Sequence, residues 1–147
     1  MKFWDSSAVV PLVVEETATK IIVDIFSADA VMLVCWGTEI ECVSAVCRLE
    51  RENALTRTQA TSALDRLHDL GAAWHEVQAV EAVRRIARRL LRTHALRASD
   101  SLQLAAALVA SEGDAGSLDF LSLDDRLRDA AEREGLAVVD ITGGSVS

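Results

Sequence analysis

The residues in this chain best suited to chemistry are acids. Asp5 stands in Asp5-Ser6-Ser7 directly after a Phe-Trp pair, and Asp124 follows Phe120-Leu121-Ser122-Leu123. Asp100 stands in Arg97-Ala98-Ser99-Asp100-Ser101, just before the apolar segment Leu102 to Ala110. Glu41 lies in a predicted helix from Thr38 to Asn53, where the spacing points Glu41, Ser44 and Arg48 to one side. Carboxylates brought to one place repel, and they cannot all stay ionised unless a cation compensates them. A hard divalent ion such as Mg²⁺ suits them, because it takes oxygen ligands and keeps waters that leave room for substrate oxygens. Taken singly, each acid has a plainer role: Asp5, Asp100 and Asp124 as helix N-caps, Glu41 with Arg48 as part of a solvated helix stripe. Spacing alone does not show convergence, so both readings stand at this point.

Other chemistries find little support. The only lysines are Lys2 and Lys20, and there is no tyrosine. Neither a phosphate-binding GxxxxGK[ST] loop, nor a dinucleotide-binding GxGxxG, nor a GxSxG elbow occurs. His68, His75 and His94 lack metal-ligand spacing, and Cys35, Cys42 and Cys47 read as reduced, partly buried thiols. An aspartyl-phosphate phosphotransferase ranks low, since no second aspartate stands two positions after Asp5 and no suitable lysine follows.

The elements that must position the acids alternate. Short β-rich segments fall at Lys2–Trp4, Val31–Cys35, Ala72–Val77, Leu118–Ser122 and Leu136–Ile141. Helical patterns lie between them, at Ser7–Val14, Thr17–Ser27, Thr38–Asn53, Arg57–Leu70, Ala79–His94, Ser101–Ala110 and Asp125–Glu134. Such alternation predicts an α/β fold of three layers, α/β/α, around a mainly parallel sheet of about five strands. In open parallel sheets functional groups collect at the carboxyl ends of strands, where Asp5 and Asp124 fall. The 147 residues are 50% hydrophobic and 26% charged, with seven glycines and one proline, which excludes disordered and low-complexity classes. One domain over residues 1–142 and a flexible tail over 143–147 are expected. Ser111–Ser117 reads as a loop. No apolar run approaches the roughly 18 residues that span a bilayer. An acid at position 5 does not suit a signal peptide, so a cytoplasmic protein with no membrane partner is expected.

Fifteen basic residues against 23 acidic give a net charge of −8, which argues against a uniformly basic nucleic-acid surface. The charge is uneven, however. Between Ala82 and Ser99 stand Arg84, Arg85, Arg88, Arg89, Arg92 and Arg97 with no acid among them. Arg84, Arg88 and Arg92 recur every four residues and form a helix stripe able to meet phosphates, or equally to face solvent or pair with acidic helices. Arg97, three residues from Asp100, is the strongest phosphate-binding candidate, with Arg88 and Arg92 next.

Asp5-Ser6-Ser7-Ala8-Val9-Val10, Glu41-Cys42-Val43-Ser44-Ala45 with Arg48, Arg97 through Ala105, and Phe120 through Asp124 together resemble a PIN domain, most of all the VapC toxins of bacterial and archaeal toxin–antitoxin pairs. The resemblance runs along essentially the whole chain; each motif alone is weak, and four in order are fairly specific. It implies a PIN-like fold and a divalent-metal-dependent endoribonuclease that hydrolyses RNA phosphodiesters with a metal-activated water. It further implies that Asp5, Glu41, Asp100 and Asp124 bind Mg²⁺ or Mn²⁺, with Ser6 and Ser122 as supporting hydroxyls. A shifted alignment would substitute the neighbouring acid Glu39, two residues away, for Glu41, or Asp119 or Asp125 for Asp124. The partners it implies are RNA, a small cognate antitoxin and a second copy in a homodimer. A free-standing RNA-processing nuclease and a noncatalytic PIN-like RNA-binding or assembly module are the competing functions.

Overall fold

Period-two alternation along very short strands decides which side chains enter which of two cores. In the computed structural model, which describes residues 1–112 and 114–143, five strands form one parallel sheet: β1 (Lys2–Trp4), β2 (Met32–Cys35), β3 (His75–Val77), β4 (Asp119–Leu121) and β5 (Ala137–Val138). Phe3, Leu33 and Phe120 point to one face; Trp4, Met32, Val34 and Leu121 point to the other. The first face is covered by α5 (Glu81–Thr93), α6 (Ala98–Ala110) and α7 (Asp125–Arg133). On the second lie α1 (Ser6–Val13), α2 (Thr19–Ala28), α3 (Thr38–Arg51) and α4 (Arg57–Ala73). The Phe3 and Phe120 rings stack at 5.6 Å between centroids, while Trp4 meets Phe26 edge-on at 6.2 Å. Each of these three strand aromatics is fully buried, which contributes roughly 1.5–3 kcal/mol apiece and fixes the strand register.

The strand order is β3-β2-β1-β4-β5. The chain builds outward from β1 to β3 and then returns to add β4 and β5 on the other side of β1. The order therefore reverses between β1 and β4, and their carboxyl ends open the crevice where ligands of such sheets bind.

The expected α/β/α architecture is what the chain adopts, with shifted boundaries. Residues 72 and 73, expected in a strand, continue α4, because two alanines favour helix and Trp74 is the first extended residue after it. The last strand stops at Val138, well short of Ile141, since Asp140 folds its carboxylate back to accept hydrogen bonds from the Thr142 backbone and hydroxyl. Within the expected loop at 111–117, Ala115–Ser117 make one 3₁₀ turn. Gly135, with φ of 91°, ends α7 in a left-handed conformation that lets Leu136 donate back to the Ala131 carbonyl. Among the described residues no helix is long and apolar enough to cross a membrane. The expected tail falls almost wholly on residues 144–147, outside the described residues.

Candidate active site

Asp5 leaves the carboxyl end of β1 and sits 3% exposed at the head of α1. It stands at the N-cap position, but its side chain makes no cap hydrogen bond. Instead its Oδ2 accepts from the Ser7 hydroxyl at 2.5 Å and the Ser122 hydroxyl at 2.9 Å. Burial pushes the Asp5 carboxyl up to about 6, and the nearby charge of Glu41 adds to the rise, against the lowering effect of the two hydroxyls. The same serines tie β1 to β4. The Ser7 oxygen accepts from the Leu123 amide and the Ser122 oxygen from the Asp124 amide.

Glu41 projects from the first turn of α3 and is not a solvated stripe residue. Its Oε2 accepts from the Ser6 hydroxyl at 2.6 Å and from the Gln103 amide at 3.2 Å, which links α3 to α1 and α6. Gln103 is buried on α6 and also donates to the Thr38 hydroxyl. Asp124 is a helix cap that also faces the cleft. Its Oδ1 caps α7 by accepting from the Leu127 amide, and the residue also lines the cleft. Asp100, expected just before its helix, lies inside the first turn of α6, which begins at Ala98, three residues earlier than the expected start at Ser101. Its Oδ2 accepts from the Arg97 amide at 3.3 Å. Burial raises the Asp100 carboxyl, and the charge of Asp124 pushes the same way.

These four acids line one open cleft of about 730 Å³ with Ser6, Ser7, Glu16, Ser44, Arg48, Arg97 and Ser99. The beginnings of α1, α3, α6 and α7 supply its acids, and the positive ends of four helix dipoles favour negative charge there. Ser6 and Ser122 orient the acids through the hydrogen bonds described above. Glu39 is exposed and outside the cleft wall, Asp119 opens β4 at the far end of the strand, and Asp125 lines only the adjoining hollow. Arg97 is in the wall; Arg88 and Arg92 are not. Arg88 instead pairs with Glu81, as Arg84 does.

Ser7 and Gln103 escaped the sequence reading as site residues. A signal for Gln103 existed: a polar side chain inside Leu102 to Ala110, otherwise apolar, needs a buried partner. For Ser7 there was none beyond its place two residues after Asp5.

Among the described residues no three histidine, cysteine, aspartate or glutamate side chains stand close enough to form a ready-made metal cage. The donor chemistry nevertheless fits a hard divalent cation. All four groups are oxygen donors, and the hydrogen bonds above fall on one oxygen of each carboxylate, which leaves the second for an ion or its waters. Asp5, Glu41, Asp100 and Asp124 are the residues that would hold it.

A PIN-like three-layer fold therefore carries this acidic cleft at its switch point. No protein-family model and no curated protein matches the chain. It is similar in structure to FitAcB from Neisseria gonorrhoeae, with 16% identity and a TM-score of 0.65 over 95% of this chain and 97% of that one. FitAB bound to an IR36 DNA fragment gives the same identity and TM-score, over 95% of this chain and 94% of that one. At this identity the likeness is one of fold.

Proposed function

We propose that this chain is a VapC-like PIN-domain toxin of a toxin–antitoxin pair, acting as a divalent-metal-dependent endoribonuclease. The observation that carries the reading is the set of four carboxylates at the carboxyl edge of the sheet, each fixed through one oxygen to a neutral donor and gathered around one cleft. Asp5, Glu41, Asp100 and Asp124 hold Mg²⁺ or Mn²⁺. A bound ion of this kind lowers the pKa of water and offsets charge on a phosphoryl group. Ser7 and Ser122 keep Asp5 Oδ2 in place, while Ser6 and Gln103 do the same for Glu41 Oε2. Arg97 meets a phosphate at the mouth, supported by its place in the cleft wall. A small antitoxin protein that covers the cleft, a homodimeric state and a cytoplasmic location belong to the same proposal.

The test is incubation of the purified, antitoxin-free chain with total RNA, with Mg²⁺ or Mn²⁺ and with chelator, beside Asp100→Asn. Cleavage is expected only with metal, and Asp100→Asn is expected to lose about 10²-fold or more of it. Cleavage that survives both chelator and Asp100→Asn would sink the mechanism. Folded protein that binds RNA and cuts none of it would turn the reading towards a noncatalytic module.

A further inference from the structure

Two serines aim Asp5, and what aims the serines lies outside the cleft. The Ser7 oxygen accepts from the Leu123 amide at 2.9 Å and the Ser122 oxygen from the Asp124 amide at 3.0 Å. A hydroxyl has one proton to give. With an amide already pointing at its oxygen that proton is turned the other way, in both serines onto Asp5 Oδ2. The orientation of Asp5 is therefore set by the backbone of residues 122–124, the turn that leads from β4 to the head of α7. That turn is itself gripped from behind. Arg128 stands one helical turn after Asp124, and the side chains of a helix lean towards its beginning. Its Nη1 donates to the Ser122 carbonyl and to the Val139 carbonyl, at 3.0 Å each, one residue past the ends of β4 and β5. Arg84, Arg88, Arg89 and Arg133 pair with acids, whereas Arg128 makes no ion pair among the described residues and gives its Nη1 to backbone.

We infer that Arg128 is a positioning residue for the cleft: it holds the Ser122–Leu123 peptide in the orientation that keeps Asp5 and Asp124 aimed. The inference rests on the nuclease reading and adds to it a residue outside the cleft wall. The Ser122 carbonyl and the Leu123 amide belong to one peptide group, planar and trans, so they point opposite ways and turn together. Arg128 holds the oxygen end and Ser7 the N–H end. Ser122 is fully buried, and a buried carbonyl without a partner is costly, so loss of the guanidinium would let the peptide rotate towards another donor. That rotation takes the Leu123 amide off Ser7 and releases the Ser7 proton from Asp5. It also moves the Ser122 backbone, and with it the hydroxyl that bonds both Asp5 and the Asp124 amide. Arginine suits the place because one planar nitrogen carries two N–H bonds at a fixed angle, one for each carbonyl.

The test compares Arg128→Met, which removes the donor, with Glu134→Gln, a change at the other end of the same helix that loosens α7 without reaching the turn. Amide exchange of the metal-free full chain, followed by NMR, is expected to quicken about tenfold or more at Leu123 and Asp124 in Arg128→Met and not in Glu134→Gln. Calorimetric titration should show Mn²⁺ held about tenfold more weakly in Arg128→Met. On total RNA its kcat per folded molecule should fall about 10- to 100-fold, while KM stays within about twofold. Arg128→Lys, which keeps a donor without the planar fork, should recover part of each loss. Ser7→Ala acts on the same peptide, so joined to Arg128→Met it should cost less than the two losses multiplied. Leu123 exchange and Mn²⁺ affinity unchanged in Arg128→Met would overturn the inference, as would losses equalled by Glu134→Gln or losses that multiply in full with Ser7→Ala. If Arg128→Met does not fold, Arg128→Lys gives the same comparisons at about threefold amplitude. A chain that binds no Mn²⁺ and cuts no RNA, while Arg128→Met still frees the Leu123 amide, would end the nuclease reading and leave the anchor standing.

Discussion

The cleft acids and Glu134 are carboxylates held in opposite ways. Glu134, at the end of α7, accepts from the Arg89 guanidinium at 2.8 Å and lies 2.7 Å from the His94 imidazole, so its partners are cationic or can become so. Those hydrogen bonds, the Arg89 bond first, hold its carboxyl below the usual range. Asp5 and Glu41 instead receive their hydrogen bonds from serine hydroxyls and a glutamine amide. Neutral donors fix an orientation without cancelling a charge, and burial then drives the Asp5 carboxyl up to about 6. A carboxylate that only fastens two helices is neutralised by its partners. The cleft carboxylates are aimed and left uncompensated, at a cost in stability that the proposed cation would offset.

Asp5→Asn breaks this contrast most strongly. RNA cleavage should fall by about 10³-fold, because one ligand of the ion is lost. The metal-free chain should nevertheless become more stable near neutral pH. The sign follows from linkage: between about pH 4 and pH 6 folded Asp5 holds a proton that the unfolded chain has released, so stability falls as pH rises through that window. Above it the penalty is complete, of order 2–3 kcal/mol. Urea unfolding of the metal-free chain should show this fall, and Asp5→Asn should abolish it. An unaltered pH slope in Asp5→Asn would mean that Asp5 is not the strained group.

Glu134→Gln should do the reverse. It should cost about 1–2 kcal/mol in urea unfolding by uncoupling α5 from α7, and leave cleavage per folded molecule unchanged. The native contribution of Glu134 is present at neutral pH and is lost as pH falls through the carboxylate range, opposite in slope to Asp5. The smallest effect belongs to the exposed pairs on α5. Arg88→Gln removes an ion pair whose two side chains are 65% and 62% exposed, and thermal unfolding should register less than about 0.5 kcal/mol. A larger loss would show that the α5 stripe contributes more than its pairing with Glu81.

Much of the site was legible because acids placed directly after apolar strand residues are visible without coordinates. Asp5 after Phe3-Trp4 and Asp124 after Phe120 to Leu123 needed only the alternation of apolar positions and the rule that parallel sheets work at their carboxyl ends. The choice between cap and ligand was not legible. Asp124 caps α7 and also lines the cleft, Asp5 stands at an N-cap position without a side-chain cap bond, and Asp100 sits in a turn that starts before the apolar run announces a helix. Which of the open readings the arginine stripe would take was not legible for a related reason. The segment from Ala82 to Ser99 contains no acid, but its partners Glu81 and Glu134 lie one residue outside it and 45 residues beyond Arg89.

Residue types and their order determined the layers of this protein, the two-sided sheet, and the edge at which acids would gather, because periodicity and strand-end position are local properties. Only the tertiary structure decided which acids share a cleft, since β4 must cross back beside β1 before Ser122 can reach Asp5 across 117 residues of chain. The same holds for Gln103 reaching Glu41, and for Arg48 and Arg97 standing in the wall of one cleft. Hydrogen bonds and charge act over a few ångströms of space, and chain separation carries no record of that distance.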